Sequence, residues 1–357
     1  MSTRFSREAP ERSPPASLNH ELVAVAVPAR NEERFIGECL DSLSRQTYRN
    51  LEILVVDSAS TDRTRAVVLE RAGDDDRIRL LSHPEMSIPG ALNAALAAAK
   101  GTWFVRVDAH ATVPEDYVSS LVRHLRTGLW GGVGGRKDGV GETPAGRAIA
   151  AALESRFGVG NSWYHHATSA RSVEHIPFGA YPTALLRGVN GWDEALRANE
   201  DFELDYRLRE RGHALLLDPS LVIRWNSRQT IGQLFRQYRR YGRGKATVAV
   251  MHPRSLLPRH LMPPALAVAT VAAVGIGAFR PLLGAAVLSP YVLCVAAASA
   301  AAGRKLSDWR ARAVLPAAFV AMHYGWGAGF LERLPRALIE RNRRSGVALE
   351  RRLAPHD

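Results

Sequence analysis

Cysteine is nearly absent from this chain: there are two in 357 residues, Cys39 in an expected helix and Cys294 in an apolar run. Two isolated thiols supply neither a disulfide framework nor a ligand cluster, so a disulfide-stapled fold is excluded and a reducing cytoplasm is expected. The first twenty residues, MSTRFSREAPERSPPASLNH, lack the apolar core of a signal peptide and read as a disordered leader. Acidic residues are outnumbered, 35 Asp and Glu against 47 Lys and Arg, for a net charge of +12. That sign would suit nucleic acid, an anionic membrane surface or a phosphorylated substrate. The basic residues form no aromatic-interleaved nucleic-acid motif, however, and many lie beside apolar segments. Anionic membrane lipids are therefore expected as a partner, and nucleic acid is not.

Apolar runs are plentiful. Leu22 to Val27, Leu51 to Val56 and Thr102 to Val107 are Val-rich, and each ends in a polar cluster that leads into a helical pattern. Continuous apolar strands alternating with amphipathic stretches imply an α/β fold with a parallel sheet covered on both faces. Ligands of such sheets gather at the carboxyl ends of the strands. There the sequence places Pro28, Ala29, Arg30, Asn31 and Glu32 after the first run, Asp57 after the second, and Asp108-Ala109-His110 after the third. A carboxylate and an imidazole two residues apart could hold one divalent ion on a diphosphate, whereas the plainer reading is a helix cap before Pro114. Asp57 likewise reads as a turn aspartate when taken alone, and Asn31 and Glu32 as helix-start residues.

Two uncharged runs, Met262 to Phe279 and Leu282 to Gly303, are each near the ~20 residues that cross a hydrocarbon core, and they read as a membrane hairpin. A third stretch, Val314 to Leu331, contains His323, Tyr324 and Trp326 and precedes a basic tail that includes Arg333, Arg336, Arg341, Arg343, Arg344, Arg351 and Arg352. The positive-inside rule opposes a third crossing, so this stretch is expected to re-enter or to lie along the inner interface, with those three side chains near the headgroups. The expected organisation is a leader over 1–20, a catalytic α/β domain over 21–251 and a membrane-associated helical region over 252–357.

The segments PARNEE, VVDSASTDRT, VDAHA, ANEDFELDYRLRERGH and RQYRRYGRG occur in that order between Pro28 and Gly244. As a set they resemble glycosyltransferase family 2, the inverting transferases with a Rossmann-like GT-A nucleotide-binding fold. The DAHA form, the RQYxRYG segment and the hydrophobic tail look most like the bacterial exopolysaccharide glucosyltransferases of the succinoglycan type. The resemblance implies that Pro28 to Glu32, Asp57 and Asp108 bind a nucleotide-sugar donor, and that Asp108 and His110 hold a divalent cation, Mn2+ or Mg2+. It also implies that Asp201, after Glu200, is the base that deprotonates the acceptor. His110 stands where a carboxylate is commonest, and an imidazole tilts such a site toward manganese. Gly179 and Trp192 are candidate acceptor contacts, Trp192 by stacking, although packing is the plainer role for an aromatic after a Gly turn. Gln237, Arg240 and Tyr241 resemble the Gln-x-x-Arg-Trp motif of processive members, with Tyr241 replacing Trp, and Arg240 is the candidate grip on diphosphate. The implied function is transfer of one hexose, from UDP-glucose by resemblance, to a lipid-diphosphate-linked saccharide at the inner membrane, with the catalytic domain facing the cytoplasm. Two other readings remain open, a polyprenyl-phosphate hexosyltransferase and a catalytically silent membrane scaffold retaining the nucleotide fold.

Overall fold

The computed structural model describes residues 20–353, with side chains described through 342, so the expected leader and the arginines of the tail beyond 342 lie outside the described side chains. Strand and helix alternate from the start: β1 (Val23–Ala29), α1 (Ile36–Ser44), β2 (Leu51–Asp57), α2 (Thr64–Asp74), β3 (Ile78–Ser82), α3 (Ile88–Ala98) and β4 (Trp103–Arg106). β1, β2 and β4 are the three Val-rich runs, and nearly every residue in them is buried because helices cover both faces. Alternate residues serve opposite faces. Val23, Val25 and Val27 pack with Ile36 and Leu40 of α1, while Ala24 and Ala26 pack with Leu92 and Leu96 of α3. α3 starts where Ser87 accepts from the Gly90 N–H and Pro89 presets the first turn.

The second half runs β5 (Ala111–Thr112), α4 (Tyr117–Leu125), β6 (Gly132–Val140), α5 (Pro144–Leu153), α6 (Arg156–Val159), β7 (Arg171–Val173), β8 (Ala180–Pro182), α7 (Thr183–Gly188), α8 (Glu200–Glu210), β9 (Leu215–Asn226) and α9 (Ile231–Met251). Three long helices follow: α10 (Pro258–Gly277), α11 (Pro281–Gly303) and α12 (Trp309–Leu353). The sheet order is β3-β2-β1-β4-β8-β6-β9-β5, with β7 beside β9. The first four strands are parallel, as expected, but β8 enters antiparallel between β4 and β6, so the sheet is mixed rather than parallel throughout. The register between β6 and β9 breaks after Gly135, which pairs with Asp218 while Arg136 pairs with Val222. A Cβ on Gly135 would meet the Leu221 carbonyl at 2.1 Å, so only glycine fits beside the bulge.

α10, α11 and the first part of α12 are long and apolar enough to cross a membrane. The first two leave large apolar side chains such as Val271, Phe279, Leu282 and Leu293 exposed. α12 differs. It is one unbroken helix through Val314 to Leu331, which corrects the re-entrant alternative and does not bear on the inner-interface one. Its Ala311, Leu315, Phe319 and Met322 belong to the same core as Ile149 of α5 and the valines of β1. Against α9 it lies at glycine distance: a Cβ on Gly242 would be 2.0 Å from the Trp326 carbonyl, and one on Gly329 would be 2.0 Å from that of Arg239. His323, Tyr324 and Trp326 each find a partner within the protein. His323 Nε2 bonds the Phe157 carbonyl at 2.8 Å, the Tyr324 hydroxyl pairs with Thr270 at 2.6 Å, and the Trp326 ring stacks on Phe330.

Candidate active site

The loops after β1 and β2 are stitched to each other. Asn31, at φ 54°, donates its N–H to Ser60 Oγ and accepts the Thr61 N–H on Oδ1, while the Glu32 N–H reaches Thr64 Oγ1. The Glu32 carbonyl accepts the N–H groups of Phe35 and Ile36 and so opens α1, as a helix-start residue would, while the Asn31 side chain joins the loops; together they shape a crevice at the sheet edge, beside Pro28 and Ala29 in β1 and the exposed Arg30. Asp57 sits at the end of β2, 2% exposed. Its Oδ2 accepts from Arg65 at 3.1 Å and lies 3.4 Å from the Ser60 N–H, but its Oδ1 is buried with no protein donor among the described residues. A buried acceptor in that condition favours a ligand N–H, such as that of a nucleobase.

β4 ends in Arg106, and this residue organises the centre. Its Nε donates to Asp108 Oδ1 at 2.8 Å, and its Nη1 reaches Glu200 Oε1 at 3.3 Å and Asp201 Oδ2 at 2.5 Å. A guanidinium this deeply buried needs such partners, and its planar fork lets it serve several carboxylates at once. Burial raises the Asp108 carboxyl, but the charge and hydrogen bond of Arg106, with Lys137 adding to them, outweigh it and hold the group below the usual carboxylate range. Sequence reasoning passed over Arg106. The signal was present as a lone charge inside the buried run TWFVRV, which has to be paired.

His110 Nδ1 lies 3.0 Å from Glu32 Oε1. Such a carboxylate fixes the tautomer with the proton on Nδ1 and leaves Nε2 as a free lone pair, the arrangement usual for metal-ligating histidines. Among the described residues no group of three or more His, Cys, Asp or Glu side chains is arranged to hold a metal ion. The donor set thus fits a divalent ion held by Asp108 and His110 and completed by substrate oxygens, and does not fit a cage made by protein alone. Glu32 acts through His110 in this arrangement.

Asp201 stands in the first turn of α8, whose N-cap, Asn199, has a left-handed backbone and no side-chain cap bond. Asp201 is not a cap: Arg106 takes one of its oxygens, and the Trp192 indole N–H takes the other at 2.8 Å. Trp192 is 2% exposed, lies against Phe104 at 5.7 Å between ring centroids, and is gripped through its backbone by Asn93, which accepts its N–H and donates to its carbonyl. It offers no face to a sugar, so the stacking role expected for it is replaced by a hydrogen bond to Asp201. Gly179 is also corrected. A Cβ there would strike the Tyr181 hydroxyl at 2.3 Å, so its smallness serves that ring and not a sugar. Burial raises the Glu200 carboxyl, and the neighbouring Asp201 adds to this, against the pull of Arg106.

A cavity of about 1020 Å³ opens from this centre. Arg106, Asp108, Lys137, Glu200 and Asp201 line it together with Gln237 and Tyr241 of α9, and so do Met262 and Leu266 of α10, Tyr291 of α11, and Met322 and Trp326 of α12. Gln237 Nε2 donates to the Tyr241 hydroxyl at 3.0 Å. Arg240 is exposed on α9 and outside the cavity lining, so the structure does not bring it to the diphosphate position expected for it. The cations that do line the centre are Arg106 and Lys137. The Lys137 ammonium lies 4.0 Å from the Trp225 ring centroid and 4.6 Å from that of Phe178, and burial pushes its pKa down to about 8. Nearby, His175 and Tyr181 both bond the fully buried Asp205, at 2.7 and 2.9 Å, one turn beyond Asp201.

A family model described as glycosyl transferase family 2 matches residues 24–187. Over 317 residues the chain is 31% identical to the succinoglycan biosynthesis protein ExoA of Rhizobium meliloti (strain 1021), spanning 87% of this chain and 94% of that one. It is 25% identical over 234 residues to the dolichyl N-acetyl-alpha-D-glucosaminyl phosphate 3-beta-D-2,3-diacetamido-2,3-dideoxy-beta-D-glucuronosyltransferase of Methanococcus voltae, spanning 63% of this chain and 73% of that one. A solved structure, the mannosyltransferase PcManGT from Pyrobaculum calidifontis in complex with GDP-Man and Mn2+, shares the fold with a TM-score of 0.59 and 24% identity, over 86% of this chain and 87% of that one.

Proposed function

The chain belongs to glycosyltransferase family 2 and is ExoA-like within it, and from that premise we propose that it moves one hexose from a nucleotide sugar, UDP-glucose in the first instance, to a lipid-diphosphate-linked saccharide in exopolysaccharide synthesis at the inner face of the cytoplasmic membrane. One observation carries the choice of acceptor: a single cavity is lined both by Asp201 and by the apolar helices α10 to α12. A saccharide at Asp201 can keep its lipid among Met262, Leu266 and Trp326 without leaving that cavity. The crevice formed by Asn31, Glu32 and Asp57 is the donor side, where the free Asp57 Oδ1 supports recognition of a base N–H.

In this reading Asp201 takes the acceptor hydroxyl proton while that oxygen attacks the anomeric carbon from the face opposite the diphosphate, so the configuration inverts. Arg106 and Trp192 each donate to one oxygen of Asp201 and set its orientation, which leaves the second lone pair of each oxygen for the acceptor. Asp108 and His110 would hold a divalent cation, manganese or magnesium, which when bound supplies Lewis-acid charge to the departing diphosphate.

The test is turnover by the full chain in native membranes, using a panel of nucleotide sugars with either a lipid-linked acceptor extract or the same saccharides freed of lipid. Transfer confined to the lipid-linked acceptor is expected. Equal transfer to free saccharide would reject the lipid-linked acceptor, and hydrolysis-level turnover with every donor would reject the activity.

A further inference from the structure

Two lysines line the cavity, Lys245 buried and Lys137 half-buried, and they differ in their partners. Lys245 Nζ donates to the Ser255 carbonyl at 2.9 Å and lies over the Phe202 ring, so its charge has a protein acceptor. Lys137 has none among the described residues: no carboxylate within ion-pair distance and no hydrogen-bond acceptor at its ammonium, only the faces of Trp225 and Phe178. The carboxylates nearest in charge, Asp108 and Asp201, are already engaged by Arg106 and Trp192. Ring faces attract an ammonium without accepting its hydrogen bonds, so the N–H donors of this half-buried, cavity-lining group stay available to a ligand. The residue also sits just past the register break between β6 and β9, a feature that re-aims side chains near sites.

We propose that Lys137 is a diphosphate-binding residue, its ammonium donating to a phosphate oxygen of a substrate lying between Asp108 and Asp201. The inference deepens the transferase reading and rests on it. Two substrates carry this chemistry there, the nucleoside diphosphate of the donor and the diphosphate of the lipid-linked acceptor, and Lys137 lies on the cavity wall that both would share.

Lys137→Met keeps the apolar stem against Trp225 and Phe178 and removes only the charge, so folding is expected to persist. Binding of inorganic diphosphate to the full chain should weaken about 10- to 100-fold in this variant, the worth of one hydrogen bond to a charged group, and should recover in part in Lys137→Arg. Binding of the nucleoside diphosphate and the KM for the lipid-linked acceptor then separate the sources, since whichever weakens by a similar factor identifies the substrate held. Unchanged diphosphate binding in a folded Lys137→Met protein overturns the proposal. That outcome is distinct from failure of the transferase reading, which shows as absence of transfer in the unaltered chain.

Discussion

Asp201 makes both its contacts through charged or polar N–H donors, which keeps it aimed. Asp201→Asn should therefore retain nucleotide binding while transfer falls about 10²- to 10⁴-fold, the usual worth of a general base. Unchanged turnover in the folded variant removes Asp201 from the mechanism. Trp192→Phe keeps the ring against Phe104 and deletes the indole N–H, so kcat should drop about ten-fold with the KM of both substrates little changed. A rise in acceptor KM alone would instead make the indole a sugar platform. At His110, activity should vanish in chelator and return better with manganese than with magnesium, and His110→Asp should narrow that preference by supplying a hard oxygen. Full activity in chelator sinks the metal-dependent reading. These residues were unequally legible in the sequence. Asp57, Asp108 and Asp201 each read alone as a cap or turn residue and stood out through the ordered set of segments to which they belong. The packing of Trp192 was legible, but its bond to Asp201 and the whole of Arg106 were missed, because those roles depend on partners about ten and ninety-five residues away, which local pattern does not encode.

At the scale of elements, legibility followed burial. β1, β2 and β4 were visible because both faces are covered and the strands are correspondingly apolar. β6, GVGGRKDGV, carries no such pattern: its glycines answer to close neighbours, Gly132 to Tyr181 and Gly135 to Leu221. The length and continuity of α12 were also hidden, since Pro316 and Pro335 lie inside it and its charged second half does not look like the first. The contact between α9 and α12 gives a sharp stability test. Gly242→Ala puts a methyl into the Trp326 carbonyl and should cost about 1–3 kcal/mol through forced separation of the helices. Gly73→Ala in α2, where a Cβ meets nothing within 4 Å, should gain about 0.5–1 kcal/mol from helix propensity. Thermal unfolding of both variants decides it, and equal shifts would mean the helices part easily.

For the whole molecule, α10 and α11 form an exposed apolar pair, whereas α12 extends the core of the sheet domain. A helix whose one face completes a folded domain stays with that domain. The segment after Leu331 is therefore expected on the same side of the membrane as the active site. A cysteine at Ile339, an exposed position, in a Cys294→Ser background should resist an impermeant thiol reagent in intact cells and react after permeabilisation. Reaction in intact cells would place that segment outside and overturn the topology.

Arg106 joins Asp108, which the proposed function puts on the donor side, to Glu200 and Asp201, which it puts on the acceptor side, through one guanidinium. Two subsites that draw on a single cation cannot titrate their ligands independently. Any ligand that changes the charge Asp108 presents changes how firmly the guanidinium holds Asp201, and the reverse is equally true. Linkage then requires that the factor by which donor alters acceptor affinity equal the factor by which acceptor alters donor affinity, whichever binds first. In a double-mutant cycle, Asp108→Asn and Asp201→Asn should accordingly be non-additive, with the coupling abolished once Arg106 is replaced.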